Sequence, residues 1–288
     1  MLLTSLVVGL TMAWAPVPQA APISELQNAY KELKASEEKK DVDSIKKWAL
    51  ETAKLSQETK KAKPDADAEV QKSNLAFADE VGAYAEYALS AAALTSTDNK
   101  QVMDLRDALA EVAPDSKYLA GLNGKYISAL EGTGQQKKVF PFAEKAIAKD
   151  PGNESLLYVL AATYFERQSW SNAATFGTRL AQNSKRAQLI GRGWWYAGCA
   201  LAAQQKWGPA DKALRAALPN IKGETALYSE ALFQLGIADY QLAHITHDKV
   251  MMRDAVDFSE QASKLGGARA GQAANNAYTM RKELSTFR

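Results

Sequence analysis

Two stretches of this chain repeat each other at a fixed offset, and nothing else constrains its fold as strongly. Aligning residues 157–164 with 194–201 sets Ala161 against Gly198 and Tyr164 against Leu201. Farther on, Trp170 meets Trp207 and Ala173 meets Ala210, every pair 37 residues apart. Small and bulky side chains recurring together at one spacing mark a helical unit that buries its apolar face only against copies of itself.

The unit is helical because the chain is built from helix formers. Ala, Leu, Lys, Glu and Gln are plentiful, prolines number nine in 288 residues, and β-branched runs bounded by turn signals are missing. An all-α fold follows. The small residues Ala161, Ala173, Gly198, Ala210, Gly236 and Ala255 stand where two helices must approach closely, and Trp170, Leu201, Trp207 and Leu214 fill the space between.

This pattern resembles the tetratricopeptide repeat (TPR), a helix–turn–helix unit of about 34 residues. Its clearest copy here is Trp194, Ala197-Gly198, Leu201, Ala210, Leu214 and Ala217. The preceding copy is Leu157, Leu160-Ala161, Tyr164, Ala173, Gly177 and Leu180; the following one opens at Leu232 and Leu235-Gly236 and closes with Ala255, Ser259 and Ala262. Earlier still, Gly124 and Ile127 precede the second-helix stretch FAEKAIAKDP. The resemblance implies an α-solenoid of antiparallel helix pairs, a TPR-like superhelix closed by a C-terminal capping helix. Its expected organisation is an N-terminal helical hairpin at 22–64 and an array over 65–288. The units are expected near 83–116, 117–153, 154–190, 191–227 and 228–266, with the cap at 268–288. Longer connections are expected at residues 132–134, 187–191 and 241–252. The hairpin would pack through Tyr30, Leu33, Ile45, Trp48 and Ala49.

Residues 2–15 form an uncharged apolar run of 14 residues followed by Pro16, Pro18 and Pro22. That is the layout of a cleavable signal peptide over residues 1–21, and it is too short for the roughly 20 residues of a spanning helix. A periplasmic or secreted protein is expected. The run lacks the usual basic n-region, and a buried first helix is the other reading. No cysteine lies nearby to carry a lipid.

The 35 basic and 33 acidic residues are mostly interleaved, so a nucleic-acid partner is not expected. One cysteine, Cys199, cannot form an internal disulfide and reads as a small buried residue. His244 and His247 are the only histidines, at i and i+3; a metal site there is the minor reading, polar residues at a loop edge the major one. No GxGxxG, GxxxxGK[ST], GxSxG or HExxH motif is present. No catalytic residue and no cofactor are expected.

In TPR arrays the first helix of each unit lines an inner concave surface. The resemblance places there Tyr84 and Tyr87; Tyr118, Lys125 and Ser128; Tyr158, Phe165 and Glu166; Arg192, Trp195 and Cys199; and Glu230, Phe233, Ile237 and Tyr240. Eight of these are aromatic, against 9% of the chain. The expectation is a groove for an extended or helical segment of a partner protein, gripped by rings and oriented by Lys125, Glu166 and Arg192. For any single ring, core packing is the competing reading. The family's carboxylate-holding version needs Lys, Asn and Arg at inner places; Gly121, Leu122, Lys125, Tyr158, Val159 and Ala162 stand there, and only Lys125 is compatible. The expected function is a non-enzymatic interaction scaffold of the cell envelope. The alternative is a module binding a solute or carbohydrate.

Overall fold

The computed structural model describes residues 23–62 and 67–287, and the signal-peptide segment lies outside them. Among the described residues the chain is all-α. It divides into two units, 1–119 and 120–288.

The first unit contains α1 (Ile23–Lys39), α2 (Val42–Lys61), α3 (Ala68–Thr95) and α4 (Asn99–Val112). Each helix packs on the next, and α1 also touches α3 while α2 touches α4. Leu26, Leu33, Ile45, Ala49 and Leu55 pack inward with Ala78, Val81, Ala85 and Leu89. Tyr30, Trp48 and Phe77 lie against this core, partly covered. Asp41, Asp67 and Asp98 start α2, α3 and α4 by accepting N–H bonds from the first helical turn.

The second unit is a run of helix pairs. It holds α5 (Tyr118–Gly132), whose first two residues still belong to the first unit, with α6 (Gln136–Ala146), α7 (Glu154–Glu166) with α8 (Trp170–Asn183), α9 (Ala187–Ala203) with α10 (Trp207–Ile221), and α11 (Thr225–Thr246) with α12 (Lys249–Leu265). The final helix, α13 (Ala270–Leu284), packs on α11 and α12. Besides their own partners, α7 touches α9 and α9 touches α11, so the first helices of successive pairs lie side by side. This is an α-solenoid of helix pairs.

One turn geometry recurs inside the pairs. Lys40, Gly134, Gln168, Gln205 and His247 all have φ between 54° and 74°. In each case the next residue's N–H reaches back five residues: Ser169 to the Tyr164 carbonyl, Lys206 to that of Leu201, Asp248 to that of Ala243. This Schellman closure satisfies the last carbonyls of the first helix and reverses the chain in two or three residues. Gln168 and Gln205 are themselves one repeat apart.

The sharp closures correct two expected connections. Residues 241–252 hold only His247 and Asp248 outside helices, because nothing in LAHIT breaks α11 and the left-handed His247 ends it abruptly. Residues 187–191 belong to α9. Gly191 is needed there as a close-approach residue, since a Cβ would meet Ile221 Cγ2 at 2.7 Å. At Gly198 a Cβ would stand 2.5 Å from Leu214 Cγ, and at Gly236 it would stand 3.2 Å from the Ala255 carbonyl. Gly266 and Gly267, both at positive φ, follow the end of α12.

Candidate functional site

In the second unit, four expected site residues come together where α7 meets α9. Phe165 is central: its ring lies 5.1 Å from Trp195, 5.5 Å from Tyr196 and 5.4 Å from Trp170, tilted or edge-on to each. Tyr158 continues the row, 6.2 Å from Tyr196. Edge-to-face contacts of this kind hold rings at fixed angles. Arg192 closes the row. Its Nη2 lies 2.8 Å from a Glu224 oxygen, its Nε donates to the same carboxylate, and its Nη1 donates to the Tyr158 hydroxyl at 3.2 Å. The Glu224 bond raises the Arg192 pKa above its usual value. Burial, and the Tyr158 oxygen beside it, push the Tyr196 phenol far above its ordinary range.

These contacts correct part of the expected groove. Trp195 is 8% exposed and Phe233 6% exposed, so both are core side chains. Trp195 is covered by Leu214 and Ala217 from α10 and by Ala231 and Leu235 from α11. Phe233 is covered by Ala262 and Ala273, with the Arg269 guanidinium over its ring. Arg192, being tied to Glu224 and Tyr158, joins successive helix pairs and is not a free hook. Cys199 is buried in the same cluster as Trp195, and burial raises its thiol pKa well above the ordinary value. Glu166 is exposed at the end of α7, and Lys125 is half-buried on α5.

Tyr240 donates its hydroxyl to Glu283 at 2.9 Å, and His244 Nε2 meets the other oxygen of that carboxylate at 2.9 Å. The pair fastens α13 to α11. His247 is the exposed left-handed turn residue. Among the described residues no three His, Cys, Asp or Glu side chains are placed to hold a metal.

The first unit carries the more open aromatic surface. Tyr84 is 5.4 Å from Tyr30 and 5.9 Å from Tyr87, and Tyr87 is 6.0 Å from Tyr118. Lys34 Nζ sits 3.8 Å above the Tyr84 ring, while the Tyr84 hydroxyl donates to Glu37 at 2.5 Å. Burial, then the Glu37 carboxylate, raises the Tyr84 pKa. Tyr87 is 48% exposed. Beside Tyr118 opens a cavity of about 510 Å³ bordered by Glu86, Pro114, Asp115, Ser116 and Lys117. The Tyr118 ring, two carboxylates, the Ser116 hydroxyl and the Lys117 ammonium thus border one accessible space.

Tyr30, Lys34 and Glu37 were not legible as site residues, because they come from a hairpin whose repeat signal is weak. Tyr196 and Glu224 are not legible in the sequence for another reason. The offset of 37 maps Tyr158 onto Trp195, but the ring beside Tyr158 is that of the next residue. The run Trp194-Trp195-Tyr196 offered the only clue.

No family model and no curated protein matches the chain. Among solved structures it is similar to the TPR2AB domain of yeast Sti1 in its pHSP90 complex, with TM-score 0.34, 13% identity, and coverage of 90% of this chain and 99% of that one. It is also similar to a computationally designed self-assembling cyclic homooligomer, with TM-score 0.23, 14% identity, and 92% of each chain covered. Among the described residues no helix is long and apolar enough to cross a membrane.

Proposed function

We propose that this protein is a non-enzymatic scaffold that grips a segment of a partner protein, with the row Tyr84–Tyr87–Tyr118 as its principal contact surface. The observation that carries the reading is the half-exposed Tyr87 ring, held between two other tyrosines beside a polar cavity. Tyrosines offer large contact area at low rotamer cost, and a row of them fits an extended peptide better than a compact solute. Glu86 and Lys117 orient the bound segment by charge. Phe165, Tyr158, Lys125 and Glu166 form a secondary surface in the second unit.

The apolar run at residues 2–15 supports export, and the cell envelope is the compartment in which this scaffold would act. Affinity capture from an envelope fraction tests the reading. A reproducible protein partner, lost with Tyr87→Ala while the thermal melt stays intact, is the expected result. Isolation alone, with thermal shifts only from sugars or other small solutes, would replace it with the ligand-binding alternative.

A further inference from the structure

Charge is unevenly distributed along this nearly neutral chain. Residues 167–223 carry nine Lys or Arg and one carboxylate, Asp211. Asp211 is engaged by Arg215, which also reaches Asp239 and Asp254. Arg192 is held by Glu224 and Arg186 by Glu154. Three of the remaining cations, Arg179, Lys206 and Lys212, border one groove, and no described carboxylate pairs with them.

The groove runs between α8 and α10 with α9 as its floor. Two cavities, about 550 and 450 Å³, meet at Thr178 and Leu201. The first is walled by Trp194, Leu201, Pro209 and Ala213, with Lys212 at its rim. The second carries Arg179 and Lys206. Arg179 gives one N–H to the Pro151 carbonyl and stacks on Phe176, which fixes its guanidinium in place.

We propose that this groove docks an acidic amphipathic segment of a partner protein, placing apolar side chains over Trp194, Leu201 and Pro209 and carboxylates against Lys206, Lys212 and Arg179. Charge complementarity selects the occupant: an apolar trough bordered by cations with no described carboxylate partner attracts a chain that carries both apolar and anionic groups. A nucleic-acid backbone would use the cations but leave the trough unfilled. This surface belongs to α8–α10 and is independent of the tyrosine row.

The test uses the full chain and labelled synthetic probes in fluorescence anisotropy. One probe is a helical peptide with Leu and Trp on one face and Glu and Asp on the other. The second has its apolar residues replaced by Ser, and the third is a single-stranded oligonucleotide of equal charge. The first probe should bind best and weaken with salt. Lys206→Glu/Lys212→Glu should weaken it about tenfold or more, whereas Lys222→Glu, outside the groove, and Tyr87→Ala should not. Equal binding of the Ser-substituted peptide or of the oligonucleotide would overturn the proposal. So would equal losses from Lys206→Glu/Lys212→Glu and Lys222→Glu.

Discussion

Gly177 of α8 and Gly193 of α9 lie back to back: a Cβ added to either would stand 2.7 Å from the other's carbonyl oxygen. The same Gly193 Cβ would meet the Ala181 backbone nitrogen at 2.6 Å, so no rotation of a neighbouring side chain could relieve the clash. The two helices therefore touch main chain to main chain. Gly193→Ala should destabilise by about 1–3 kcal/mol, the usual range for overpacking. Gly208→Ala in α10, where a Cβ meets nothing within 4 Å, should be neutral or stabilising by up to about 1 kcal/mol. Urea midpoints of the two variants check the contrast.

Gln168 and Gln205 close their helix pairs at φ 56° and 58°, a conformation that costs a side-chain-bearing residue about 1 kcal/mol. Each Gln→Gly replacement should raise stability by up to that amount. An unchanged or lower denaturation midpoint would show that the side chain itself supports the turn.

The helices were largely legible in the sequence, because small residues at one spacing can serve little but helix packing. The short connection at His247 was not. Sequence rules favour Gly or Asn at such a closure, and a histidine in the left-handed region leaves no local signal. The site was only partly legible. Offset arithmetic identifies equivalent backbone places, yet it cannot say which of Trp194, Trp195 and Tyr196 a neighbouring pair will cover. Leu214 and Leu235 decide that, from helices farther along the chain.

Asp239 is fully buried, beside Arg215 and Asp211 of α10 and Asp254 of α12, and burial pushes its pKa up to about 8. The folded protein therefore holds a proton that the unfolded chain releases in the ordinary carboxylate range. This contribution to stability is fully present below that range and is lost progressively as pH rises to about 8. Asp239→Asn should flatten the fall in Tm between pH 5 and pH 8. Arg215 keeps Asp211 and Asp254 as partners in the variant.

Arg192 joins α9 to Glu224 before α11 and to Tyr158 of α7. Arg192→Met should cost about 1–2 kcal/mol by leaving a half-buried carboxylate unpaired. In a double-mutant cycle with Glu224→Gln the two losses should fall short of additivity. Full additivity would mean that the pair contributes nothing as a pair.

The partner-gripping role rests on the row Tyr84–Tyr87–Tyr118, and its most direct test is the Kd of a captured partner segment for Tyr87→Ala/Tyr118→Ala, with circular dichroism on the same sample. A loss of about tenfold or more with helicity and melting unchanged is the predicted result, in line with removing two aromatic contacts. An unchanged Kd would contradict it, as would a weaker Kd accompanied by lost helicity.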